Sequence, residues 1–131
     1  MDRGTVLFHR DFQFKDGEYG NKLIIILNDV GADKPYLCCK TTSKPKYGIE
    51  KEGCYSDKNI FVLSNLSSSF HQKTYVQFHE LYELNSKTFL KGHFEGKVEI
   101  ICKLPVNMIN AIINCIKKSE DISPYHLMLL K

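Results

Sequence analysis

The chain has 131 residues, a hydrophobic content of 43%, a charged content of 25% and a formal net charge of +3 at pH 7. These values are typical of one globular domain over residues 1–131 and argue against a fibrous or disordered protein, while the modest charge permits nucleic-acid binding without requiring it. The sequence has neither an apolar run of about 18 residues nor the apolar core of a signal peptide, so we expect a cytoplasmic protein without membrane association.

Short strand patterns dominate the first half of the chain. Apolar, β-branched runs predict strands over Thr5–His9, Lys22–Asn28 and Pro35–Thr41. The continuous apolar run of the second strand indicates burial on both of its faces. Gly and acidic residues predict a polar loop over residues 10–21, and no regular element is predicted over residues 42–59.

The second half continues with strands and then changes to helices. Strands are predicted over Asn59–Leu63, from Thr74 toward Leu84, and over Gly96–Cys102. Between the last two, Asn85 begins a short helix or turn that runs through Leu90.

The clearest helix begins at Pro105, a residue favoured in the first helical turn. Its apolar residues fall on one stripe at helical spacing: Met108, Ile109, Ile112, Ile113 and Ile116. Ser123 and Pro124 then predict a short last helix through Leu130. The order of elements favours an α+β, mainly β fold: a small antiparallel barrel with a packed C-terminal helix.

The cysteines and histidines lack the spacing of metal ligands. The chain has five cysteines, an odd count without a CxxC pair, and five histidines without an HExxH pattern. We therefore predict no metal, no cofactor, and reduced core thiols in a cytosolic protein. His71 and His79 could in principle act as an acid–base pair, but nothing in the sequence places them together.

A candidate phosphate site lies where two neighbouring strands meet. Lys22 begins one strand and Thr41 ends the next, and in an antiparallel pair those two ends are adjacent. A cation offsets charge on a scissile phosphate, and a hydroxyl donates a hydrogen bond to one of its oxygens. Because RNA supplies its own 2′-OH nucleophile, such a site needs no metal. The alternative is a solvated Lys22 and an ordinary strand residue at Thr41.

The order of several short motifs resembles the MazF/PemK family of toxins from type II toxin–antitoxin systems. Five segments carry the resemblance over nearly the whole chain: Gly4–Phe8, Gly20–Asn28, Cys39–Lys44, Lys73–Phe78 and Leu104–Ile116. The resemblance implies an SH3-like barrel, a homodimer, and metal-independent, sequence-selective cleavage of single-stranded RNA or mRNA. It also implies a cognate antitoxin protein that blocks the site.

The resemblance also implies residue roles. The family's catalytic Arg corresponds to Lys22, and the Pro that follows it corresponds to Leu23. The catalytic Thr corresponds to Thr41, with Thr42 as the other candidate, and Glu18 is a candidate general base. Candidate RNA contacts, through hydroxyls, ammonium groups and base stacking, are Thr42, Ser43, Lys44, Lys46, Tyr19 and Tyr47.

Two other functions stay open at this stage. The same SH3-like barrel could bind a protein partner, as related gyrase poisons do, or bind nucleic acid without cutting it. Lys22 in place of Arg favours that reading, since ammonium is a point charge whereas guanidinium is a fork that binds phosphate bidentately. The third reading is an interaction domain unrelated to toxins.

Overall fold

A computed structural model describes residues 2–13, 17, 19–29, 34–44, 48–49, 51–63 and 73–130. Within these ranges the elements are, in chain order, β1 (Thr5–Gln13), β2 (Tyr19–Ile26), β3 (Tyr36–Thr42), β4 (Gly53–Tyr55), β5 (Ile60–Leu63), β6 (Thr74–Leu84), α1 (Ser86–Phe94), β7 (Val98–Lys103), α2 (Val106–Lys117) and α3 (Pro124–Leu129). A single 3₁₀ turn, Ser56–Lys58, links β4 to β5. The mainly β, α+β class predicted from the sequence is confirmed.

The strands form one antiparallel sheet in the order β4-β5-β6-β3-β2-β1-β7. Strands β4 and β7 lie at its two edges, and in the described residues they do not pair with each other. The sheet is therefore open, where the sequence predicted a barrel. Strand β3, with its neighbours β2 and β6, lies at the centre of the sheet.

The sheet is buried on both faces around β2, where a helix contributes to the core on each side. Ile25 of β2 belongs to a core cluster that contains the apolar stripe of α2. Its neighbour Ile24 belongs to a second cluster on the other side, which contains Phe89 of α1. Successive strand residues point to opposite faces, so β2 needs the continuous apolar run that the sequence shows. Its predicted two-sided burial is confirmed.

Two predicted loops differ from the structure. The loop at residues 10–21 is shorter than predicted because β1 continues to Gln13, past a register shift between His9 and Phe12. Asp11 absorbs the shift with a φ of 56°, and its backbone N–H donates to the Asn21 side chain at 3.2 Å. A polar residue with φ above zero suits such a bulge. Residues 42–59, predicted to lack regular structure, contain β4 and the 3₁₀ turn.

The helix boundaries follow the capping residues. The Asn85 side chain accepts a hydrogen bond from the Lys87 backbone at 2.8 Å, and α1 then extends beyond the predicted end at Leu90 to Phe94. Ser123 caps α3 in the same way, through the His126 backbone at 3.1 Å. Predicted helices at α2 and α3 are confirmed. In the described ranges, none of the helices combines the length and apolar character needed to cross a membrane.

The prediction of reduced thiols is wrong for two of the five cysteines. Cys54 of β4 and Cys115 of α2 form a disulfide across a sequence separation of 61 residues. The pairing depends on α2 packing beneath the β4 edge of the sheet, a long-range contact that the spacing of cysteines does not encode. Cys38, Cys39 and Cys102 are free thiols.

Burial makes the two adjacent thiols of β3 poor nucleophiles. It raises the pKa of Cys38 to about 12. The pKa of Cys39 is also raised, mainly by burial and further by its neighbour Cys38. Because the thiolate is the reactive form, these two cysteines are core residues, as the sequence predicted.

Candidate functional site

Lys22 and Thr41 lie side by side, as their strand positions predicted. Lys22 Nζ is 3.4 Å from the Thr41 carbonyl oxygen, to which it donates. The Thr41 hydroxyl donates to the Leu23 carbonyl oxygen at 2.8 Å. These contacts fasten the end of β3 to the start of β2.

Thr41 itself faces the interior of the protein. It is only 4% exposed, and its one hydroxyl hydrogen is used in the bond to Leu23. A phosphate in solvent could therefore receive a hydrogen bond from Thr41 only after that internal bond broke.

Thr42 lies on the opposite face, together with two lysines. Ile24 pairs with Lys40 across β2 and β3, so both side chains lie on one face of the sheet. Side chains two residues apart along a strand share a face. Lys22 therefore lies on the same face as Ile24, and Thr42 lies on the same face as Lys40. We call Lys22, Lys40 and Thr42 the lysine face. All three are half-buried.

Among the residues that the structure describes, the Thr42 hydroxyl accepts a hydrogen bond but donates none. Its oxygen accepts a hydrogen bond from the Lys44 backbone N–H at 3.2 Å, which closes a small turn after β3. A hydroxyl has one hydrogen to donate besides its acceptor lone pairs. Thr42 can therefore donate to a ligand on the lysine face while the turn stays intact.

A basic cleft of about 600 Å³ continues from the lysine face. Its lining residues are Lys40, Asp57, Lys58, Asn59, Ile60, Gln77 and His79. Lys40 belongs to both features, so the two form one continuous surface. Two ammonium groups and one carboxylate give the cleft a positive balance, and the Lys58 ammonium lies 3.9 Å from Asp57, so part of its charge is offset. Such a balance favours an anionic ligand.

One wall of the cleft is anchored to the segment that follows α2. Asn59 adopts a left-handed conformation with a φ of 56°. Its side chain donates to Asp121 at 2.8 Å and accepts a short hydrogen bond from the Ser119 hydroxyl. The Asn59 carbonyl also accepts from the Phe78 backbone at 2.9 Å. The wall is therefore fixed by contacts from both the sheet and the C-terminal segment.

The floor of the cleft is Gln77, at a bulge in β6. Gln77 pairs with Lys40 on one side and with Ile60 on the other. Beyond it the register shifts, because four residues of β6 (78–81) lie opposite Cys39 alone. Bulges re-aim side chains and are frequent beside functional sites. Here the bulge carries exposed His79 to the rim of the cleft.

The other predicted site residues divide into two groups. Tyr19 is 63% exposed at the start of β2, and Ser43 and Lys44 are exposed after β3. Glu18, Lys46 and Tyr47 lie outside the described residues. The structure thus supplies an exposed aromatic ring and an exposed ammonium group close in sequence to the lysine face.

Sequence reasoning missed Lys58 and Gln77 as site residues, and it weighed His79 only as an acid–base partner of His71, which lies outside the described residues. One signal for Gln77 was present: it is a polar residue inside the otherwise apolar run Thr74–Phe78. A buried polar residue in a central strand calls for a partner. No comparable signal marked Lys58, which reaches the cleft only through the unpredicted 3₁₀ turn.

The described part of the chain contains no group of three or more His, Cys, Asp or Glu side chains able to hold a metal ion. No family model, curated protein or solved structure matches this chain. The residues and their geometry are therefore the basis for assigning a function.

Proposed function

We propose that this protein is a metal-independent endoribonuclease that cleaves single-stranded RNA on the lysine face, in the manner of MazF/PemK toxins. The observation that supports it is the grouping of Lys22, Lys40 and Thr42 on one face, continuous with a basic cleft. Ammonium groups and a donating hydroxyl are the groups needed to hold a phosphodiester and to stabilise the charge that develops on it.

In the proposed reaction, the RNA 2′-OH attacks the adjacent phosphorus and the bond from phosphorus to the 5′ oxygen breaks. The products are a 2′,3′-cyclic phosphate and a free 5′-OH. Lys22 offsets negative charge on a non-bridging oxygen, while Thr42 donates a hydrogen bond to another. Glu18 is the proposed base that takes the 2′-OH proton, and water protonates the leaving oxygen.

Thr42 takes the donor role in this proposal, where the sequence favoured Thr41. The Thr41 hydroxyl is buried and already donates to Leu23. The Thr42 hydroxyl is on the same face as both lysines and has a hydrogen to donate. Thr41 is better explained as the residue that holds β3 against β2, thereby keeping Thr42 and Lys22 in register.

A second candidate function is RNA binding without cleavage. The observation that favours it is Lys22 in place of the family's Arg. A single ammonium contacts a phosphate as a point charge, whereas guanidinium holds two oxygens in fixed geometry. On this view the lysine face and the cleft bind the RNA backbone, and no bond breaks.

The proposal includes the remaining properties that the resemblance implies: toxin activity, an antitoxin, a homodimer, an SH3-like barrel and a cytoplasmic location. The disulfide places a condition on the last of these, because reducing conditions in the cytosol oppose disulfides. A cytoplasmic enzyme must work with Cys54 and Cys115 reduced. Cys54→Ser should therefore cleave RNA as well as the wild type does.

The test is RNA cleavage by purified protein in EDTA, with product ends identified by mass spectrometry. We expect cyclic phosphate ends, and a loss of about 10²–10³ in rate for Lys22→Ala and for Thr42→Val. Thr41→Ser, which keeps the internal hydrogen bond, is the matched control and should remain active. Lys22→Arg should keep or raise activity.

Two results separate the candidates. No cleavage of several long RNAs by the wild type or by Lys22→Arg, with RNA binding intact, would replace the enzyme with the binding function. Cleavage that survives both Lys22→Ala and Thr42→Val would remove the lysine face from the mechanism.

A further inference from the structure

We propose that the basic cleft is a nucleobase-reading subsite in which the Gln77 amide recognises adenine. The inference rests on the proposed function, in both its cleaving and its binding forms. It concerns a different part of the surface, because Gln77, Lys58 and His79 have no role in the chemistry described above.

The starting point is the amide of Gln77. The residue is 9% exposed and lines the cleft. Its side-chain amide makes no hydrogen bond to another residue in the part of the chain that the structure describes. Since no fully buried side-chain nitrogen or oxygen atom in that part of the chain lacks a partner, the amide is in contact with solvent in the cleft. A ligand that fills the cleft can therefore replace water and pair with the amide.

An amide presents one acceptor oxygen and an NH₂ donor side by side. Adenine presents the complementary pair on one edge, with its N6 amino group as donor and a ring nitrogen as acceptor. Gln and adenine therefore form two hydrogen bonds at once. In single-stranded RNA these base edges are unpaired and can be turned into a pocket.

The rest of the cleft suits the nucleotide that carries the base. Lys40 and Lys58 supply ammonium groups at its lining, where the flanking phosphates of a bound base would lie. His79 presents an imidazole ring at the rim, and imidazole stacks on bases. The volume of about 600 Å³ is within the range of small-molecule pockets.

Lys40, which the two features share, fixes the order of contacts along the bound RNA. Lys40 belongs to both the lysine face and the cleft. A base held by Gln77 would therefore belong to a nucleotide close to the phosphate held by Lys22 and Thr42. The cleft would select where along the RNA the lysine face acts.

The test is fluorescence anisotropy with 2′-O-methyl oligomers of A, U and C, which bind but cannot react through the 2′-OH. We expect oligo(A) to bind about 5- to 150-fold more tightly than oligo(U), the range for one bidentate contact. Gln77→Met keeps the length of the side chain but loses the amide, so the preference should fall below about twofold. The salt dependence should stay unchanged, because no phosphate contact is lost.

Two controls keep the test independent of folding defects. In the wild-type protein, replacing adenine by purine, which lacks the N6 amino group, should remove most of the preference. Lys58→Ala, a change at an exposed residue, should weaken the binding of all oligomers alike. It should also reduce the slope of the logarithm of the binding constant against the logarithm of the salt concentration by about 0.7.

The outcomes distinguish the two proposals. Salt-dependent binding without any base preference in the wild type would overturn the Gln77 subsite and leave the proposed function standing. A preference that survives both Gln77→Met and purine substitution would place base recognition elsewhere and overturn the inference. No binding of any oligomer would overturn the proposed function, and the subsite with it.

Discussion

Reduction of the Cys54–Cys115 disulfide should destabilise the protein by an amount that follows from its topology. The bond closes a loop of 61 residues and connects the β4 edge of the sheet to α2. The loop-closure relation for a ring of this size gives about 4 kcal/mol at 25 °C. With a urea dependence of about 2 kcal/mol per molar, the unfolding midpoint should fall by roughly 2 M on reduction.

The assay is urea unfolding followed by circular dichroism, with and without dithiothreitol. Cys54→Ser should unfold at the lower midpoint and should not respond to the reductant. Cys102→Ser is the matched control, since Cys102 is a free thiol outside the bond, and it should retain the full response. A thiol titration of the unfolded, unreduced protein should find three free thiols of the five cysteines.

Equal midpoints for the oxidised and reduced wild type would refute the loop-closure argument. Five thiols in the unreduced chain would refute the disulfide itself. A midpoint that falls equally for Cys102→Ser without reductant would show that the sheet edge is sensitive to any cysteine change, and the effect could no longer be assigned to the ring.

Three further predictions concern single side chains. Thr41→Val removes the donor to Leu23 and should cost about 1–2 kcal/mol in unfolding free energy, whereas Thr42→Val should stay within about 0.5 kcal/mol of the wild type in the same urea assay. Asn59→Ala should be less stable than Asn59→Gly by about 1–2 kcal/mol. Both variants lose the hydrogen bonds to Ser119 and Asp121, but only glycine accepts the φ of 56° without strain. Equal stabilities of the two variants would contradict this explanation. The backbone N–H of Arg3 donates a hydrogen bond to the Asp29 carboxylate and lowers the pKa of that group below its usual value of 3.8. The ionised carboxylate therefore stabilises the fold above pH 3.8, and this stabilisation is lost as the pH falls further. Asp29→Asn should be less stable than the wild type at pH 7, and the difference in unfolding free energy should disappear in acid.

The strands were predictable from the sequence where local pattern and burial agree. The apolar run at Lys22–Asn28 predicted β2 and its two buried faces, and Pro105 with its apolar stripe predicted α2. The 3₁₀ turn and β4 were not predictable, because Gly53–Tyr55 has no strand pattern of its own. Its place is fixed by pairing with β5 and by the disulfide to α2.

The candidate site was predictable only in part. The adjacency of Lys22 and Thr41 followed from antiparallel pairing, which is a local property of two consecutive strands. The choice between Thr41 and Thr42 depended on register, since a shift of one residue exchanges the two faces. Gln77 and Lys58 meet Lys40 only through the pairing of β6 with β3 and β5, whose order along the sheet differs from their order along the chain.

The disulfide also changes how the chain responds to mechanical force. Tension on the two ends passes from Cys54 directly to Cys115, so β5, β6, α1 and β7 lie inside a closed covalent ring. Full extension of the chain between Cys54 and Cys115, a sequence separation of 61, would otherwise lengthen the molecule by about 200 Å. A protease machine that threads one extended strand would pull out β1, β2 and β3 and then meet the ring. To continue, the protease must either admit two lengths of unfolded chain side by side or wait until the disulfide is reduced.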